Sequence, residues 1–200
     1  MKRYFYLFLI FVAHSISCNT NQSNYTNKNP KVIIIQPFEG LPEEQSKYIS
    51  NEIQKFYPHI KLKKSIPLPS QAYYKPRNRF RADSLIRILR DLTPENHITL
   101  GLTSKDISTT NDGINDWGVM GLGYRPGKSC IASTFRLNKT ETKSQFFKVA
   151  IHELGHTEGL PHCPEKYCFM RDAEGKNPTN DEKEFCINCK QRLEDRGWKF

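Results

Sequence analysis

The stretch from His152 to His162, His-Glu-Leu-Gly-His-Thr-Glu-Gly-Leu-Pro-His, constrains this 200-residue chain more than any other. On a helix, His152 and His156 lie one turn apart on the same face, so both imidazoles reach a single metal ion. Glu153 follows the first histidine and lies beside that ion without being a ligand. Gly159 can take the left-handed conformation that ends a helix. The chain then turns back and brings His162 to the metal as third ligand. Three nitrogens leave a fourth position for water, which is the layout of a catalytic zinc site and not of a closed structural one. A buried helix whose histidines merely pack would need neither the adjacent glutamate nor the helix-ending glycine.

A second group of ligands begins on the next residue. Cys163 and Cys168 form one close-spaced pair, and Cys186 and Cys189 form another. Four thiolates in two such pairs suit a tetrahedral structural zinc that staples the irregular last 40 or so residues. In an exported protein the same cysteines could instead close two disulfides. Cys130 is left over in an apolar stretch and reads as a buried free thiol.

Residues 1–17 have the layout of a secretory signal: Lys2 and Arg3, then an apolar run from Tyr4 to Ala13, then small residues up to Ser17. Cys18 directly after the cut resembles a bacterial lipoprotein anchor; the plainer reading is an ordinary signal with an incidental cysteine. Either makes the protein an exported one of the bacterial cell envelope, with a membrane partner if Cys18 carries lipid. Residues 18–31 are polar and read as a flexible tether. Residues 32–200 then form one domain. Strands are expected at 32–37, 60–67, 97–102, 119–124 and 130–137, the last two as a hairpin through Arg125-Pro126-Gly127-Lys128. Helices are expected at 41–56, from beyond Pro76 to Leu92 with Leu85, Ile86, Leu89 and Leu92 on one face, at 140–158 and at 181–193, and a loop at 106–116. Early alternation of strands and helices predicts an α/β domain with a mixed, twisted sheet.

The charge of +9 raises the question of nucleic acid. The two basic segments, Lys61-Leu62-Lys63-Lys64 and Lys75 to Arg81, are short, and export separates the chain from nucleic acid, so none is expected as a partner. Anionic lipid headgroups suit those charges better.

The pattern HExxHxxGxxH is that of the metzincin clan of zinc peptidases. The fuller arrangement, His152 through His162, then Cys163, Cys168, Met170, Cys186 and Cys189, resembles the archaemetzincins. Fifteen residues separate Met170 from Cys186, where the family pattern has about 17. The export signal is a second departure, since familiar members are intracellular. The resemblance implies a metzincin-like fold and a zinc metallopeptidase with two zinc ions, one catalytic on the three histidines and one structural on the four cysteines. It places Met170 as a hydrophobic floor beneath the histidines and Glu153 as general base, and it implies weak, often aminopeptidase-like activity. It also places an extended peptide substrate along Gly118 to Tyr124. Tyr167 is a candidate oxyanion donor by nearness in the chain alone. The competing reading is a catalytically latent envelope zinc protein that binds peptides or partners, against which the intact Glu153 argues.

Overall fold

The computed structural model describes residues 30–200. The expected signal (1–17) and Cys18, with nearly all of the tether, lie outside the described residues. Along the chain run β1 (Val32–Pro37), α1 (Glu43–Gln54), β2 (Ile60–Leu62), β3 (Tyr73–Tyr74), β4 (Arg79–Arg81), α2 (Ala82–Leu92), β5 (His97–Thr103), β6 (Ile107–Asn111), β7 (Ile114–Val119), β8 (Gly121–Gly123), β9 (Ser129–Ser133), α3 (Thr142–Thr157) and α4 (Ile187–Glu194). A five-stranded sheet has the order β2-β1-β5-β9-β8. Its first four strands are mutually parallel, and β8 pairs antiparallel at one edge. Strands β1, β5 and β9 are buried along almost their whole length because both faces of this sheet are covered.

Each helix buries one stripe. In α1 it is Ser46, Ile49, Ser50 and Ile53, and in α2 Ala82, Leu85, Ile86 and Leu89, the spacings that place residues on one side of a 3.6-residue repeat. Helices α1 and α3 share a core with Ile33, Ile35 and Leu100, while α2 packs with Phe38, Ile107 and Ile131. Helix α3 is apolar almost all round, with Phe146, Phe147, Val149, Ala150, Ile151 and Leu154 all buried. It is the central helix of the fold, and its last two turns carry the histidines.

The α/β class and the hairpin between β8 and β9 agree with expectation, the strands being shorter than expected. Four expectations are corrected. The loop at 106–116 is a hairpin, β6–β7, within a second, four-stranded sheet of order β3-β4-β6-β7. Residues 77–81 are not α-helical: a single 3-10 turn spans Lys75–Arg77, left-handed Asn78 ends it, and β4 follows. Arg77 and Arg79 there both pair with Asp116, and Arg79 also pairs with Asp106. Leu92 ends α2 pointing outward, 67% exposed. The last helix starts at Ile187, not at 181, because residues 181–185 bridge back to Cys168.

The C-terminal segment is held by aromatic contacts. Trp198 lies against Tyr57 at 5.4 Å between ring centres, and Phe185 meets Phe169 at 5.2 Å. Among the described residues no helix is long and apolar enough to cross a membrane.

Candidate metal centre

Helix α3 presents His152, Glu153 and His156 to one side and ends as the sequence predicts. Gly159, at φ +90°, lets its own N–H bond His156 O at 2.8 Å and the Leu160 N–H bond Gly155 O at 3.0 Å. This pair of bonds is the Schellman arrangement, and it reverses the chain. The reversal brings His162 over the helix. The three ring centres stand 4.6, 4.9 and 5.4 Å apart, and one nitrogen of each ring lies within 4.8 Å of the others.

Each imidazole is fixed through its other nitrogen. His152 Nδ1 meets Phe169 O at 2.7 Å and His156 Nδ1 meets Leu160 O at 2.8 Å. A carbonyl only accepts, so each Nδ1 carries the proton and each Nε2 keeps its lone pair for a metal. His162 Nδ1 lies 3.0 Å from Asp172 Oδ2. Burial, then the charge of neighbouring His156, pulls the His152 pKa down to about 3, which holds the ring in its neutral, ligating form. Burial lowers that of His156 likewise.

Glu153 is 7% exposed, and burial pushes its pKa up to about 8. Its carboxyl lies against β8, where Gly121 and Gly123 leave the room it occupies: a Cβ on Gly121 would stand 2.5 Å from Glu153 Oε1. Beneath the histidines, Met170 approaches Gly155 of α3 so closely that a Cβ there would meet its sulfur at 2.3 Å. Met170 is fully buried.

The four expected cysteines also converge. Cys163 Sγ stands 3.6 Å from Cys186 Sγ, Cys168 Sγ 3.8 Å from Cys189 Sγ, and all four sulfurs lie within 4.8 Å of one another. Sulfurs bound at ~2.3 Å to a tetrahedral zinc stand about 3.8 Å apart. A disulfide needs about 2.05 Å, and all four thiols are free. Contact with Cys189, helped by N–H groups of Cys186 and Met170, holds the Cys168 thiol down at about 5. The donor set therefore fits zinc and not a pair of disulfides. Cys130, in β9, is fully buried and free, as expected.

A cleft of about 850 Å³ runs past His152, Glu153, His156 and His162. Residues 118–123, all of the expected substrate strand but Tyr124, form one wall, and residues 171–179 with Glu182 form the other. Tyr167 does not line this cleft and is 40% exposed, so sequence nearness misplaces it. The sequence reading missed Asp172, Lys148 and Glu182. Asp172 follows Met170 by two, but no spacing rule marks it. Lys148 precedes His152 by four residues and so shares its helix face, a signal that was available.

Comparison with known proteins agrees with this geometry. Residues 70–195 match Peptidase family M54. An archaemetzincin of Methanopyrus kandleri is 32% identical over 71% of this chain and 82% of its own length. One from Methanocaldococcus jannaschii is 30% identical over 82% of this chain and 94% of its own. The crystal structure of the Methanopyrus kandleri archaemetzincin superposes with a TM-score of 0.70 at 28% identity, covering 84% of this chain and 95% of that one. That of the Archaeoglobus fulgidus archaemetzincin complexed with malonate gives 0.69 at 25% identity, over 80% and 98%. The matched span takes in the second sheet, all of α3 and all four cysteines, and the relatives align along most of their own length, so this chain belongs to peptidase family M54, the archaemetzincins, and is a zinc metallopeptidase.

Proposed function

We propose that the chain hydrolyses peptide bonds with Glu153 as general base, holding one zinc on His152, His156 and His162 and a second on Cys163, Cys168, Cys186 and Cys189. The observation that carries this reading is the placement of one buried carboxyl, on the same helix turn as two histidines and facing the same cleft. When bound, the catalytic zinc supplies positive charge that polarises the scissile carbonyl and acidifies water. Glu153 takes the proton of the attacking water on one carboxylate oxygen and delivers it to the departing amine. Strand β8 ends the five-stranded sheet, so its outer backbone groups are free to pair with an extended peptide. Met170 and Gly155 hold the floor under His152. The four thiolates fix the loop that carries Met170.

Export to the bacterial envelope, with Cys18 as the point of lipid attachment, completes the proposal and rests on the layout of residues 1–18 alone.

The test uses the full chain loaded with zinc. It is incubated with a diverse peptide mixture beside the Glu153→Ala variant, and new termini are read by mass spectrometry. Termini that require Glu153 establish the peptidase and separate end-trimming from internal cleavage. Their absence, with two zinc ions bound per chain, would overturn hydrolysis in favour of a latent protein that binds peptides.

A further inference from the structure

Glu182 is the one carboxyl in the cleft wall that is both deeply buried and unclaimed. It is 4% exposed and lines the same cleft as His152 and Glu153. Among the described residues no hydrogen bond or ion pair reaches its side chain. The neighbouring cations are committed elsewhere. Lys148 Nζ donates to Thr179 O at 2.6 Å, and Arg171 pairs with Asp181 at 3.1 Å. The other acidic groups differ: Asp172 is bound to His162, and Glu174 is exposed. We propose that Glu182 is the specificity residue of this cleft, accepting hydrogen bonds from an ammonium or guanidinium side chain of the substrate next to the scissile bond. The proposal rests on the peptidase reading above.

The physical argument is one of satisfaction. With no donor from the protein, the Glu182 carboxyl depends on the little water that still reaches its oxygens, and burial strips it of most of its hydration. Burial accordingly pushes the pKa of Glu182 up to about 7, with Lys148 and Arg171 opposing the rise. A lysine or arginine side chain entering the cleft brings donors and charge, and draws the carboxyl to its ionised form. An apolar side chain of the same length covers the carboxyl and leaves it unpaired. Sites built around an unpaired polar group discriminate strongly against guests that cannot pair with it.

The test compares full-length, zinc-loaded wild type with Glu182→Gln, which keeps the shape and removes the charge. Substrates are peptide pairs differing only in lysine or norleucine on either side of the cleaved bond. Wild type is expected to favour lysine at one of the two positions by 10-fold or more in kcat/KM. In Glu182→Gln that ratio falls to within about threefold of unity. Glu153-dependent cleavage with no lysine preference in wild type, or with a preference unchanged in Glu182→Gln, overturns the proposal and leaves the peptidase reading standing. If no peptide is cleaved, the peptidase reading fails, and calorimetric titration of the same pairs into the zinc-loaded protein decides the binding claim. Equal affinities then overturn it, and tighter lysine binding that Glu182→Gln abolishes supports it. Should Glu182→Gln not fold, Glu182→Asp is read in its place, with the ratio expected to shrink.

Discussion

Gly121 offers the sharpest probe of where Glu153 must stand. A methyl group on this residue would lie 2.5 Å from Oε1 of Glu153, 2.7 Å from its Cγ and 2.9 Å from its Cδ. Non-bonded heavy atoms settle near 3.5 Å, so the carboxyl has to retreat by about 1 Å in Gly121→Ala. The backbone itself accepts alanine, because Gly121 is not among the glycines with positive φ. Alanine in a strand also loses less conformational freedom on folding than glycine, which returns up to ~1 kcal/mol. The variant should therefore fold and hold its zinc, with a melting temperature close to that of wild type. Its chemistry should suffer. A displacement of about 1 Å in a catalytic group costs on the order of 100-fold in rate, or about 2.7 kcal/mol of transition-state stabilisation. The assay is kcat/KM on a peptide found by the Glu153 comparison, with metal content and circular dichroism measured on the same samples. Activity within about threefold of wild type in a folded, zinc-loaded Gly121→Ala would refute the claim that Glu153 acts from its place against β8.

Three further outcomes are expected. Asp172→Asn should loosen the zinc on the histidines by about 10- to 100-fold, since the carboxylate orients His162, while the zinc on the cysteines stays; chelator competition with metal counting separates the two. Cys168→Ala should lower the melting temperature by about 10 °C or more, and it should weaken the histidine site as well; retention of that site at wild-type affinity would count against the coupling. The third concerns pH in the metal-free protein. The Glu153 carboxyl ordinarily titrates near 4.5 and is pushed up to about 8 by burial, so the folded state keeps a proton that the unfolded chain releases. The stability linked to this group is full below about 4.5 and is lost as pH rises to about 8. Metal-free Glu153→Gln should gain on wild type in thermal melts from pH 5 to pH 8, and a gap that does not widen with pH would contradict the buried carboxyl.

How much of this was legible in the sequence depends on the range of the contacts. The histidines, Glu153 and Gly159 lie on one helix and its cap, so spacing alone places them. The cysteine pairs were visible as pairs, but only the fold brings residues 163–168 to residues 186–189 and replaces the choice between zinc and disulfides with distances. The β6–β7 hairpin escaped because Ser108, Thr109, Thr110 and Asn111 are polar. Such a strand forms through pairing with β4 and β7, and no local apolar alternation announces it. The segment 73–81 misled in the opposite direction: the helical stripe of Leu85, Ile86, Leu89 and Leu92 was carried back to Pro76, whereas Arg79 is half-buried in ion pairs with Asp106 and Asp116, both more than 25 residues away. Glu182 and Asp172 face the cleft from an irregular wall with no periodicity, so nothing local distinguishes them from solvated acids.

The two clusters act as one device because four consecutive residues serve both. Cys168 supplies a sulfur. The Phe169 carbonyl fixes the tautomer of His152. The Met170 carbonyl receives the Cys163 N–H at 2.8 Å, and the Met170 side chain fills the hollow beneath Gly155. The Arg171 N–H closes the turn on Cys168 O at 3.0 Å. His162 and Cys163 are neighbours in the chain, so the third imidazole and the first thiolate cannot move independently. Phe169 packs on Phe147 and Phe185, which seats this irregular segment, and packing leaves it without the rigid tie that a coordinated ion gives. The sulfur cluster supplies the missing constraint, and in doing so it sets the position of a histidine that it never touches. This accounts for why the cysteines begin on the residue after His162, where a structural site of any other purpose would have no reason to be.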